Sequence, residues 1–152
     1  MHAEGYTEWM RLALADARLA VGTDDVPVAA ILLDAAGTPI GHGRNEREKS
    51  GDPTAHAEIL AIREAAETLG TWRLENTTLV VTLEPCAMCA GAILNARIPR
   101  LVFGAWDKKA GAVGSVNDLL RDRRLPHLVE VVAGVEADAC GALLREFFEA
   151  RR

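Results

Sequence analysis

Apolar residues recur at helical spacing near the start of the chain, where Trp9, Leu12, Ala13, Ala17 and Ala20 share one stripe and predict a first helix. The period then changes. "VPVAAILLD", residues 26–34, is a nearly unbroken apolar run and reads as a buried strand. A turn at Ala36-Gly37 sends "TPIGHGRN" back as an antiparallel second strand ending near Asn45. The polar stretch "EREKSGDPT" follows as a loop, with Asp52-Pro53 or Thr54 placed to start a helix over about 54–69. Ile59, Leu60, Ile62, Ala66 and Leu69 form that helix's apolar side.

The β-branched run "TTLVVTL" at 77–83 predicts a third strand, Glu84-Pro85 a break, residues 86–95 a helix, and "RLVFGA" at 100–105 a fourth, buried strand. Gly104, Gly111 and Gly114 mark a long loop before a short strand at 128–133 and a final helix over about 137–150. Strand, helix and strand in this order imply parallel pairing with a right-handed crossover. The expected class is α/β, a three-layer α/β/α sandwich on a mixed five-stranded sheet. With no repeat, low-complexity tract or linker, residues 1–152 are expected to form a single domain.

Composition narrows the setting. No apolar run reaches the roughly 18 residues of a membrane span, and "MHAEGYTEWMRLALADARLA" lacks the basic and apolar blocks of a signal peptide, so a cytoplasmic location is expected. Net charge is −5, which argues against a generally sticky nucleic-acid binder, but the charge is unevenly placed. Residues 1–84 carry 7 Lys/Arg against 14 Asp/Glu, whereas residues 85–152 carry 10 against 8. Arg97, Arg100, Lys108, Lys109, Arg121, Arg123 and Arg124, with Arg151 and Arg152, are therefore the expected phosphate-contacting surface for an anionic partner.

Three cysteines are too few for a disulfide scaffold, and Cys86 and Cys89 stand at Cys-x-x-Cys spacing. Cys140 shares a stripe with Leu143, Leu144, Phe147 and Phe148 and reads as a core residue. "HAE" at 56–58 and "EPCAMCAGA" at 84–92 each open a helix, where free N–H groups favour thiolates. Cys86 and Cys89 project from one face of a first turn, and neutral His56 completes a soft N/S set suited to zinc. No fourth protein ligand is evident: His2 is terminal, His42 lies in the second strand and His127 precedes the last one. Three ligands leave a position for a water that zinc polarises, and Glu58 is placed to move its proton. Glu84 is a rival for that acid/base role, read instead as fixing the turn before Pro85.

H-x-E followed by P-C-x-x-C is the signature of the zinc-dependent nucleobase deaminases. Over nearly its whole length the chain resembles the bacterial tRNA adenosine deaminases of the cytidine/deoxycytidylate deaminase superfamily. The matching stretches are "DPTAHAEILAIREA", "LVVTLEPCAMCAGAILNARIPRLVFGA", "GAVGSVNDLL" and "DACGALLREFFEARR". The resemblance implies a cytidine deaminase-like fold and zinc-dependent hydrolysis of adenosine to inosine at the wobble position of a tRNA anticodon. It implies a homodimer acting on the tRNA anticodon stem-loop, with no membrane or DNA partner. Carried onto this chain, it makes His56, Cys86 and Cys89 the zinc ligands and Glu58 the proton shuttle. Asn45 would hydrogen-bond the flipped base, the Ala57 N–H would meet the base edge, and the Asp107 carboxylate would accept from a 2′-hydroxyl. Ala29 stands where relatives commonly carry Gly, and Trp106 occupies a variable position where it could stack on a splayed base. Two alternatives remain at this point. One is deamination of a free nucleobase or nucleotide such as guanine, cytosine or deoxycytidylate, against which "LLREFFEARR" and the local basic excess favour a macromolecular substrate. The other is a non-catalytic zinc-stabilised RNA-binding module, which needs four protein ligands.

Overall fold

The computed structural model describes residues 3–125 and 127–152, with the backbone alone for Ala3 and Glu4; His2 lies outside the described residues. Helix α1 (Ala3–Ala17) runs into a short 3-10 segment (Arg18–Thr23). Strands β1 (Ala29–Leu33) and β2 (Pro39–Arg44) form an antiparallel hairpin that sets Ile31 opposite His42. Its turn is closed by the Asp34 carboxylate, which accepts from the amides of Ala36 and Thr38, both at 2.9 Å. After the four-residue α2 (Arg47–Ser50) come α3 (Ala57–Leu69), β3 (Thr78–Leu83), α4 (Ala87–Ala96), β4 (Arg100–Ala105), β5 (Glu130–Val132) and α5 (Ala137–Glu149).

The sheet order is β2-β1-β3-β4-β5, with β1 antiparallel to both neighbours and β3, β4 and β5 mutually parallel. The strand alternation divides the core in two. Ala30, Leu32, Leu79, Val81, Leu101 and Phe103 face α3 and α4, while Ala29, Ile31, Leu33, Val80 and Val102 face α1 and α5. Each fully buried Leu, Val or Phe contributes about 1.5–3 kcal/mol, so both helical layers are held by burial. The expected three-layer sandwich with a mixed five-stranded sheet is the observed one. No described helix is long and apolar enough to cross a membrane.

Of the boundaries that differ from expectation, three have a clear local reason. Helix α3 begins at Ala57 rather than near 54, because Asp52 Oδ1 accepts from both the amide and hydroxyl of Thr54 at 2.8 Å and closes a turn first. The stretch read as a loop contains α2, whose Glu48 and Lys49 amides donate to the buried Asp25 carboxylate at 2.7 and 3.2 Å. Strand β5 is an edge strand paired only with Arg100–Val102 of β4, which limits it to three residues.

One contact positions everything downstream. Gly41 and Gly43 face α3 so closely that a Cβ on Gly41 would stand 2.2 Å from the Ala61 carbonyl oxygen, and one on Gly43 2.2 Å from that of Ala57. Ala57, Ala61 and Ala65, all fully buried, line the facing stripe of the helix. The glycine pair therefore sets the height of the first turn of α3 above the sheet.

Candidate active site

The parallel strands β3 and β4 deliver their C-terminal ends to one side of the sheet, and the first turns of α3 and α4 start there. His56 is the N-cap of α3 and Cys86 the N-cap of α4, both with extended backbone (ψ 151° and 177°) that turns their side chains toward each other. Cys89 follows one turn along α4. His56 Nδ1 lies 3.6 Å from Cys86 Sγ and 3.4 Å from Cys89 Sγ. The three donor atoms all fall within 4.8 Å of one another, a spacing that could hold a metal ion. Among the described residues the group holds three ligands and no fourth. His42 instead pairs with Glu64, His127 Nε2 lies 2.9 Å from the Ile98 carbonyl, and Cys140 is buried on α5's core face.

The electrostatics of the cluster favour a thiolate. Hydrogen bonding from Cys89, with a further contribution from His56, holds the Cys86 thiol down to about 3 despite burial. The same Cys86 interaction, together with burial, pushes the Cys89 thiol upward. Hydrogen bonding to Cys86 also raises the His56 pKa against burial. Two helix N-termini converge here, and their free N–H groups stabilise added negative charge. Glu58, in the first turn of α3, is only 4% exposed, and burial pushes its carboxyl above the ordinary carboxylate range. It lies outside the three-donor group, so its carboxyl is available for proton transfer rather than ligation.

His56, Glu58 and Cys86 line a cavity of about 570 Å³, which Asn45, Arg47 and Asp107 also border; Cys89 lies buried behind it. The Ala57 N–H, expected to meet a base edge, is buried and donates to Asn45 Oδ1 at 2.9 Å. Because an N–H requires an acceptor, that bond fixes the orientation of the Asn45 amide and leaves its nitrogen as the donor toward the cavity. Asp107 borders the cavity, and its Oδ1 accepts from the amides of Lys109 and Ala110 at 3.1 and 3.2 Å, shaping the loop. Ala29 does not border the cavity: it packs on the α1 and α5 face.

Glu84 has a larger structural part than fixing one turn. Only 1% exposed, it accepts from the amides of Asp107 (2.9 Å), Val113 and Ser115 (both 3.0 Å) and from the Ser115 hydroxyl. Burial works to raise its pKa, but these four donors outweigh it and hold the carboxyl below its usual value. Gly111 packs on this carboxylate, where a Cβ would come within 2.3 Å of its carbon. One side chain thus anchors the 107–115 loop to the strand end that carries Cys86. Asp25 does the same for the opposite wall, tethering α2 and hence Arg47. Sequence reasoning missed Asp25, Arg47 and the extent of Glu84's role. The readable trace was an acidic residue inside an otherwise apolar stretch, as in "TLEPC".

The basic stretch is not one surface. Arg100 pairs with Glu130 at the start of β4, and β4 itself separates it from Asp107 by roughly 20 Å of extended chain. Arg121 is tied to Asp118, Arg124 to Asp122 and Arg151 to Asp24. Lys108 and Lys109 border the cavity and form no ion pair among the described residues.

Comparison with known proteins agrees with this geometry. The family model for the cytidine and deoxycytidylate deaminase zinc-binding region matches residues 3–105. The tRNA-specific adenosine deaminase of Haemophilus influenzae is 50% identical over 143 residues, covering 94% of this chain and 83% of that protein. A solved structure from work on A-to-I editing by tRNA:A34 deaminases at the wobble position of transfer RNA matches with a TM-score of 0.86 at 43% identity, covering 90% of this chain and 99% of that one. The guanine deaminase of Nitrosomonas europaea matches with a TM-score of 0.79 at 28% identity, covering 91% of this chain and 81% of that one. The chain belongs to the cytidine and deoxycytidylate deaminase family, on the branch of the bacterial tRNA-specific adenosine deaminases.

Proposed function

We propose that the chain hydrolyses adenosine to inosine at the wobble position of a tRNA anticodon, with His56, Cys86 and Cys89 holding zinc and Glu58 moving protons. The observation that carries this reading is a buried, protonatable Glu58 beside a three-donor N/S cluster, with Glu58, His56 and Cys86 lining one cavity. Two sulfurs and an imidazole nitrogen suit zinc, and three ligands match a catalytic rather than a closed site. When bound, zinc supplies a water activated as a nucleophile near neutral pH.

The chain's own residues do the rest. The Asn45 amide nitrogen donates to the inserted base and, with Arg47 and Asp107, orients it. Glu58 takes the proton of the attacking water and delivers it to the purine ring nitrogen. The new C6–O bond forms, Glu58 then takes the proton of that C6 hydroxyl and passes it to the departing amine, the C6–N bond breaks as C6=O forms, and ammonia leaves. One water is consumed and one ammonia released per inosine. We further propose that 1–152 acts as a single catalytic domain, in the cytoplasm with its tRNA, as a homodimer.

The likeness to guanine deaminase supports free-base deamination as a second reading. A panel of tRNA bearing a wobble adenosine, its anticodon stem-loop, guanine, cytosine and deoxycytidylate separates the two. Inosine in the RNAs, with no ammonia from the small molecules, is the expected result; turnover of a free base alone reverses the assignment. Glu58→Ala should keep its fold and zinc yet lose on the order of 10²–10⁴ in rate. Normal turnover in that variant removes Glu58 from the mechanism.

A further inference from the structure

The mechanism leaves Trp106 at the cavity without a task. The residue is 48% exposed, and its surroundings restrict the ring. The buried ring of Phe103 meets it edge-to-face, centroids 4.8 Å apart at 87°. Gly114, at φ +129°, lies so close that a Cβ there would stand 3.2 Å from the indole and 3.3 Å from the Arg121 guanidinium. That guanidinium is itself tied to Asp118 and to the Val113 carbonyl. The next amide, of Asp107, is bound to Glu84. Trp106 thus leaves about half its surface in water while these contacts restrict its rotamers. Such a ring has little rotamer freedom to lose when a flat ligand stacks on it.

The exposure grades from floor to rim of the cavity. Glu58 is buried, His56 and Cys86 are half-buried, and Trp106 stands at the opening beside Lys108 and Lys109. A base inserted to the floor leaves the stack of its RNA strand, and its neighbour loses a stacking partner as a result. An open indole next to two unpaired ammonium groups can replace that partner and meet the adjoining phosphate.

Resting on the adenosine deaminase reading above, we infer that Trp106 is the stacking platform for the base next to the target adenosine, a specificity residue that favours a polynucleotide over a free base or nucleoside. Base–aromatic stacking tolerates any base, so this platform selects for the presence of a neighbour rather than its identity.

The test is steady-state inosine formation by the full chain on an anticodon stem-loop and on two stem-loops made abasic on the 5′ or the 3′ side of the adenosine. One abasic substrate should raise KM by on the order of ten- to a hundredfold for the unsubstituted protein, with kcat changed far less. Trp106→Ala should show that same rise on the intact stem-loop and no further rise on the abasic one, while Trp106→Phe recovers most of the affinity. An unchanged KM in Trp106→Ala, or losses that add in full, overturns the inference. Should Trp106→Ala fail to fold, equal KM for all three RNAs with the unsubstituted protein overturns it equally. No inosine from any RNA refutes the functional reading and this inference together; inosine with a Trp106-independent KM refutes this inference alone.

Discussion

Gly43→Ala tests whether the glycine pair of β2 aligns the catalytic turn. The added Cβ would stand 2.2 Å from the Ala57 carbonyl oxygen, 2.9 Å from the Ala61 amide nitrogen and 2.9 Å from Leu60 Cβ. Ordinary contact begins near 3.4 Å, so helix and strand must part by roughly 1 Å, and two of the three obstacles are backbone atoms that cannot rotate away. Overpacking of this kind costs about 1–3 kcal/mol, a fall in Tm of roughly 2–12 °C for a chain of this size. Gly41→Ala provides the control, because its Cβ meets Ala61 and Ala65, one turn farther along α3. Both variants should lose similar stability by thermal melting. Gly43→Ala alone pushes on the residue between His56 and Glu58, and a misplacement of about 1 Å at a reacting centre costs roughly 10²-fold. Inosine formation should therefore fall far more in Gly43→Ala than in Gly41→Ala. Equal kcat/KM in the two variants at equal loss of Tm would refute the claim that Gly43 sets the catalytic turn.

Further outcomes follow from the anchors of the cavity walls. Glu84→Gln exchanges an acceptor of four donors for an amide, so denaturant melts should show a loss of about 1.5–3 kcal/mol for the charged hydrogen bonding removed, and KM for RNA should rise as the 107–115 loop loosens. Asp25 is buried; burial raises its pKa, but the Thr23 hydroxyl, the Glu48 and Lys49 amides and the charge of Arg47 outweigh it and lower the pKa from 3.8. The unfolded chain then takes up the proton first, so this contribution is present above about pH 4, the ordinary value of 3.8, and is lost as pH falls through the lower folded-state value. Asp25→Asn should flatten the acid limb of a stability–pH curve, and an unchanged limb contradicts the assignment. Lys108→Ala and Lys109→Ala should each reduce the slope of log K against log salt by about one in tRNA binding, if each meets one phosphate. Arg124→Ala, whose guanidinium is tied to Asp122, should leave that slope nearly intact.

The parts of this fold that were readable are those where one physical constraint dominates a short stretch. Strands β3 and β4 are covered on both faces, so their sequences lose polar alternation and become apolar runs that stand out. The three-donor cluster was readable because its N/S residue types are few and the helix pitch restricts their spacing: Cys86 and Cys89 share one face of a first turn. Glu84 and Asp25 escaped because their partners are backbone amides 23 or more residues away, and an amide leaves no mark in a sequence. Gly41 and Gly43 left a trace that needed its counterpart. Two glycines at strand period lie on one face, and Ala57, Ala61 and Ala65 recur at helical period, but only the packing of α3 on β2 joins the two patterns.

Charge shows why counting along the chain does not describe the cavity's own cations. Arg97 and Arg100 are near Lys108 and Lys109 in sequence, but β4 is extended, and an extended strand converts a few residues into a large distance. Arg121, Arg124 and Arg151 are already matched by carboxylates, so each brings little free potential to the cavity. Arg47 reverses the error: it comes from the strongly acidic first half of the chain, yet α2 and Asp25 carry it to the cavity wall. The cationic side chains that border the cavity are therefore Arg47, Lys108 and Lys109, with Asp107 among its lining residues. A cleft built from both halves of a chain takes its sign from the few side chains that reach its rim unpaired, because screening over roughly 10 Å removes the influence of the rest.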